Sequence, residues 1–221
     1  MLLERSCFMK IEFQDILPGD IERHSFAIIT RELGARTFSP EIGAVVKRVI
    51  HTTADFDYAD TLCFSPDAVE AGVAAFRGGC TLVTDTQMAL AGISKPSLKK
   101  LGCTAVCYMA DPDVAVAARQ NATTRAVASM EKAAALKGPV VYALGNAPTA
   151  LIRLCEQMES GLVHPALVIG VPVGFVNAAE SKELLLRRKV PHIVARGRKG
   201  GSTVAAAICN ALLYLATGRT V

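Results

Sequence analysis

From Ser65 onward the chain alternates short apolar runs with longer amphipathic stretches. The runs Cys80–Asp85 (CTLVTD), Cys103–Met109 (CTAVCYM), Pro139–Gly145 (PVVYALG), Pro165–Gly174 (PALVIGVPVG) and Pro191–Gly197 (PHIVARG) lack the polar alternation of a half-solvated strand. They read as strands covered on both faces. Helical segments separate them. Ser65-Pro66-Asp67 opens a helix through Val69, Val73 and Phe76 that Gly78-Gly79 ends, and Pro96–Lys100 reads as a brief helix. Asp113–Lys137 is an Ala-rich helix or helix pair, Ala147-Pro148 opens a helix through Met158, and Ala178–Lys189 and Ser202–Ala216 complete the series. Strand followed by helix, repeated, implies right-handed crossovers and a doubly wound, mostly parallel α/β sheet flanked by helices. No repeat, linker or low-complexity tract interrupts it, so residues 1–221 are expected to form a single α/β domain.

Upstream, Pro18-Gly19-Asp20 breaks the chain, and Asp20 is placed to cap a helix through Ser25, Phe26, Ile29 and Leu33. A second helix follows Ser39-Pro40, with Ile42, Val45, Val46 and Val49 at helical spacing. His51–Asp55 is polar and non-periodic, which reads as a loop or short strand.

Composition narrows the class. With 221 residues, 51% of them hydrophobic and 20% charged, the chain is too apolar for disorder and long enough to bury a core without staples. The net charge of +4 is mild and comes with no dense basic run. Nucleic acid is therefore not an expected partner, whereas an anionic small ligand suits the balance. No window of roughly 18 apolar residues exists, so no membrane partner is expected. The longest candidate, Pro165–Val176, runs directly into Asn177, Glu180 and Lys182. Glu4, Arg5 and Lys10 interrupt the N-terminal apolar stretch, which argues against a signal peptide and for a cytoplasmic protein. The seven cysteines read as reduced, mostly buried thiols. Cys103 and Cys107 have no histidine at ligand spacing, and no metal site is expected.

In a doubly wound sheet, ligands sit beyond the carboxyl ends of the strands. The loops there are Asp85–Gly92, Leu144–Leu151, Gly170–Lys182 and Ala195–Thr203, and three of them are Gly-rich and open onto helices. Free N–H groups at helix starts make such loops candidate anion cradles. Arg196-Gly197-Arg198-Lys199-Gly200-Gly201-Ser202 adds three cations; it reads equally as a carboxylate- or phosphate-binding loop and as a solvated junction. Neither a P-loop nor a dinucleotide fingerprint is present, because Gly170-x-Pro172-x-Gly174 lacks the third glycine. Among the histidines, His192 falls in a strand, His164 at the far strand entrance and His24 on an early helix. His51 has no hydrophobic reason for its place, and its neighbours Thr52, Thr53, Asp55 and Asp57 are placed to orient it. A histidine exchanges protons near neutrality, although one in a polar loop is commonly just solvated.

The segments VIHTTADFDYADTLCFSPDAV (Val49–Val69), VTDTQMALAGI (Val83–Ile93), ALGNAPTAL (Ala143–Leu151), HPALVIGVPVGFVNAAESKELL (His164–Leu185) and GRKGGSTVAAAICNALL (Gly197–Leu213) closely resemble the precorrin-8X methylmutase family, its cobalt-precorrin-8 form included. The resemblance runs from about Asp20 to Leu213. It implies a flavodoxin-like fold, a homodimer with its site near the subunit interface, and an isomerase needing no cofactor. That isomerase moves a methyl group from C-11 to C-12 of the corrin precursor. His51 falls on the family's catalytic histidine, Ser25 on a substrate-contacting serine and Arg125 on an arginine expected near the macrocycle. Arg198 and Lys199, in the basic loop, are expected to meet substrate carboxylates. His24 departs from the family pattern at its position. A non-catalytic carrier of a tetrapyrrole intermediate is the competing expectation, and it would not need His51.

Overall fold

The computed structural model describes residue 17 and residues 20–219. The N-terminal reading and Cys7 lie outside them. Eleven α-helices and six strands follow one another among the described residues. They are α1 (Ile21–Glu32), α2 (Pro40–Thr53), α3 (Tyr58–Thr61), β1 (Leu62–Phe64), α4 (Ala68–Arg77), β2 (Thr81–Thr84), α5 (Gln87–Gly92) and α6 (Lys95–Lys100). Then come β3 (Thr104–Val106), α7 (Pro112–Gln120), α8 (Arg125–Ala133), β4 (Val140–Leu144), α9 (Pro148–Glu159), β5 (Leu167–Gly170), α10 (Ala178–Leu186), β6 (His192–Ala195) and α11 (Ser202–Thr217).

The strands form one sheet in the order β1-β6-β5-β4-β2-β3, parallel except where β1 runs antiparallel to β6. The five parallel strands thus have the flavodoxin-like order, with the chain reversing direction across the sheet between β2 and β4. Thr84 lies level with Ala143, Leu144 with Gly170, and Gly170 with Val194, so the loops after β2, β4, β5 and β6 share one rim.

Buried side chains divide between the two faces. Helices α4 and α11 cover one face, with α2 packed outside α11 and α1 outside α2. The other face carries α8, α9 and α10. Helix α11 is apolar nearly all round because both its sides are covered.

Three readings change. His51-Thr52-Thr53 is the last turn of α2, which Ala54 ends in a left-handed conformation (φ 53°). The hydroxyls of Thr52 and Thr53 accommodate the helix by donating to Arg48 and Val49 carbonyls one turn back. The long apolar run at Pro165–Gly174 yields a strand of only four residues, and Val171–Asn177 becomes the loop beyond it. Asp20 stands at the start of α1 without a side-chain capping bond; its carboxylate pairs with Arg23 instead.

Candidate active site

The loop after β2 begins with Asp85, which is fully buried at the switch point. Its carboxylate accepts from the amides of Gly145 (2.9 Å), Asn146 (2.7 Å) and Ala147 (2.7 Å), across to the start of α9. Burial raises the Asp85 carboxyl's pKa, and the three amide bonds pull the other way. The Leu144–Leu151 loop was one of the expected anion cradles. Its N–H groups are already taken by the protein's own carboxylate, so that expectation fails for an external anion.

The basic loop between β6 and α11 is built differently. Gly201 N–H donates to Val171 O (2.9 Å), and Gly174 N–H donates to Arg198 O (3.2 Å), so the loops after β5 and β6 lie against each other. Gly200, at φ +159°, has no space for a side chain: a Cβ there would stand 2.1 Å from Val171 O. Below the loop, Lys182 of α10 is fully buried. Its Nζ donates to the carbonyls of Gly197 (2.8 Å) and Lys199 (2.7 Å), and burial lowers its pKa from 10.5 to about 8.

The three cations of this loop have separate fates. Arg196 forms a two-pronged bond with Glu183. Arg198 is exposed, with its guanidinium 5.5 Å from the centre of the Phe175 ring. Lys199 Nζ donates to Asp55 Oδ2 and Asp57 Oδ2, both at 2.6 Å, which raises the Lys199 pKa and lowers that of Asp55. Asp55 and Asp57 therefore serve the lysine, and the expectation that they orient His51 is corrected.

That clamp brings the end of α2 to the same rim. Ser39 Oγ accepts from Ile42 N–H to start the helix, and His51 lies exposed in its final turn. The imidazole packs against Phe26 of α1, ring centres 5.2 Å apart and tilted by 37°. Phe26 is backed in turn by the buried Arg48 guanidinium (4.6 Å), which pairs with Glu22 and also faces the Tyr214 ring. The Arg48 bond holds the Glu22 carboxyl below the usual carboxylate range. Ser25, adjacent to Phe26, donates its hydroxyl to Ile21 O within α1 (2.8 Å).

Arg125 stands apart from this group. It is the first residue of α8, on the opposite face of the sheet, and is exposed. Thr124 Oγ1 lies 3.3 Å from Thr149 Oγ1 in the first turn of α9, which keeps the Arg125 end of α8 at the strand-end rim. Met88, in the first turn of α5, and Val173, Phe175 and Val176, in the loop after β5, expose apolar side chains at that rim. Elsewhere, His192 is buried with Nδ1 2.8 Å from Val190 O, and His24 and His164 are exposed.

Sequence reasoning missed Asp85 and Lys182. Each carried a signal: Asp85 directly follows a strand whose last three residues are buried, and Lys182 shares the face of α10 that buries Ala178, Ser181 and Leu185.

Residues 20–215 match the family model described as precorrin-8X methylmutase. The chain is 50% identical over 203 residues to a cobalt-precorrin-8 methylmutase of Salmonella typhimurium, covering 89% of this chain and 95% of that protein. It is 46% identical over 201 residues to the Priestia megaterium protein of the same name, covering 91% and 89%. Among solved structures, a precorrin-8X methylmutase from Thermus thermophilus superposes with a TM-score of 0.83 at 42% identity, covering 91% of this chain and all of that one. The sheet order, the motifs and these likenesses agree: the chain belongs to the precorrin-8X methylmutase family of isomerases.

Proposed function

We propose that the chain moves a methyl group from C-11 to C-12 of precorrin-8X or cobalt-precorrin-8, giving hydrogenobyrinic or cobyrinic acid. His51 is the general acid and base. The observation that carries this reading is the placement of the exposed His51 ring, braced by Phe26, on the rim shared with the Arg198 loop. The His51 imidazolium donates a proton to the macrocycle and makes it electron-poor at the migration terminus. The methyl group then leaves C-11 and bonds to C-12 as the ring's π system reorganises, and His51 takes the proton back. Nothing is oxidised or reduced overall, so the reaction asks for no redox cofactor.

The substrate's acetate and propionate arms carry carboxylates, which Arg125, Arg198 and Ser25 meet. Lys199 contributes while tied to Asp55 and Asp57, and so also fixes the loop that carries Arg198. Met88, Phe175 and Val176 offer apolar cover to the ring face. In this reading the enzyme works in the cytoplasm as a homodimer.

An absorbance time course tests the reading. Purified protein is mixed with precorrin-8X and, separately, with the cobalt-containing substrate. Catalytic appearance of a corrin-like spectrum is the expected result, and the faster substrate identifies the natural one. A stoichiometric shift on mixing, with no turnover of either substrate, would overturn the reading in favour of a carrier.

A further inference from the structure

A lysine side chain fully withdrawn from water ordinarily has a carboxylate beside it, because an isolated buried ammonium is costly. The hydrogen-bond partners of Lys182 Nζ are instead two backbone carbonyls, of Gly197 and Lys199, both in the basic loop. Those carbonyls flank Arg198. Lys182 reaches them from α10, where its burial is shared with Ser181 on one side and Leu185 on the other. Backbone bonds to Val171 and Gly174 and the Lys199 clamp also hold this loop, but Gly197, Gly200 and Gly201 all take positive φ and lend it no side-chain packing.

We propose that Lys182 is a positioning residue that sets the conformation of the 197–201 loop, and through it the place of the Arg198 guanidinium that meets a substrate carboxylate. Charged donors bond carbonyls more strongly than neutral ones do, and two bonds from one ammonium fix both spacing and orientation. The same anchor acts at a second point. The Lys199 carbonyl is held from below by Lys182, while the Lys199 ammonium holds Asp55 and Asp57 beyond the end of α2. Lys182 therefore lies beneath the junction between the basic loop and the segment following His51, and touches no substrate itself. The inference rests on the proposed role of Arg198 in substrate binding.

The test compares wild type, Lys182→Met, Lys182→Arg and Arg198→Ala in the same turnover assay, with hydrogen exchange on each protein. Lys182→Met removes the charge and both donors at similar volume. Its KM should rise about tenfold while kcat changes by less than about twofold, because uniform binding is lost and the proton step is not. Arg cannot reproduce a compact ammonium seated between two carbonyls, so Lys182→Arg should raise KM in the same direction but less. In both variants the Gly174 and Gly201 amides, which bridge the loops, should exchange faster, while the Val168 amide in β5 keeps its protection. A wild-type KM in either folded variant would overturn the proposal. So would an equal loss of protection at Val168, which would make Lys182 a general stabiliser. If Lys182→Met does not fold, the KM and exchange pattern of Lys182→Arg decide. Should Arg198→Ala leave KM unchanged, the proposed carboxylate contact fails, independently of the Lys182 exchange result.

Discussion

Two glycine-bearing loops meet at the strand-end rim, and they spend their polar groups in opposite ways. The loop after β4 turns its amides inward onto Asp85, a carboxylate 60 residues earlier in the chain. The loop after β6 turns two carbonyls inward onto Lys182 and leaves the Arg198 side chain facing solvent. They touch: a Cβ on Gly145 would lie 2.7 Å from Gly201 O. The contrast shows that glycines and a helix start make a loop able to hold an anion without saying whose anion it holds. In the first loop the anion is internal and the product is rigidity. In the second the buried charge is a cation, and the surface is left for a ligand.

Breaking the first loop should have the larger effect. Asp85→Ala strands three amide donors and should destabilise the fold by about 3 kcal/mol or more, read as a shift of the urea midpoint. Asp85→Asn should recover only part of this, because its NH₂ group faces donors. Next comes the close approach of the loops after β5 and β6. Gly200→Ala places a Cβ against Val171 O at a backbone angle that alanine resists, which costs about 1–3 kcal/mol for the backbone alone. Its KM should rise more than its kcat falls, since the displaced loop is the one carrying Arg198.

A third effect is in the pH dependence of stability. Burial lowers the Lys182 pKa from 10.5 to about 8, so between those values the unfolded chain binds more protons than the folded one. The stability contributed by this group therefore rises with pH across that window and is least favourable below pH 8. Subtracting the urea stability of Lys182→Met from that of wild type isolates it, since buried Cys80 and Tyr142, each raised to about 12, titrate alike in both proteins. A difference that stays flat from pH 8 to pH 10 would contradict the assignment of a buried, charged Lys182.

The sheet was legible because β4, β5 and β6 are buried on both faces and helices such as α6, α9 and α11 begin at a proline, a Ser cap or a glycine turn. Strand β1 was not, since Leu62–Phe64 is a three-residue edge strand whose partner lies far along the chain. The helical end of α2 was hidden by His51-Thr52-Thr53, polar and β-branched residues that suit a loop equally well until the threonine hydroxyls find helix carbonyls. At the site, the roles of His51, Ser25 and Arg125 were placed by resemblance to a family. Physical reading alone reached only a histidine without a structural purpose and a basic loop. Asp85, Lys182 and the Asp55–Lys199–Asp57 clamp escaped because each joins segments that only the fold brings together. Local sequence carries propensity; it does not carry the partner.

In the proposed mechanism this rim divides its labour, with His51 moving the proton and the basic loop holding the substrate. The most direct test titrates the corrin product into wild type and His51→Ala, and measures single-turnover rates on the same samples. His51→Ala is expected to bind product within about threefold of wild type while its rate falls about a hundred- to ten-thousand-fold. Loss of product binding together with rate would contradict it and make His51 a binding residue, and a rate left near wild type would remove His51 from the chemistry.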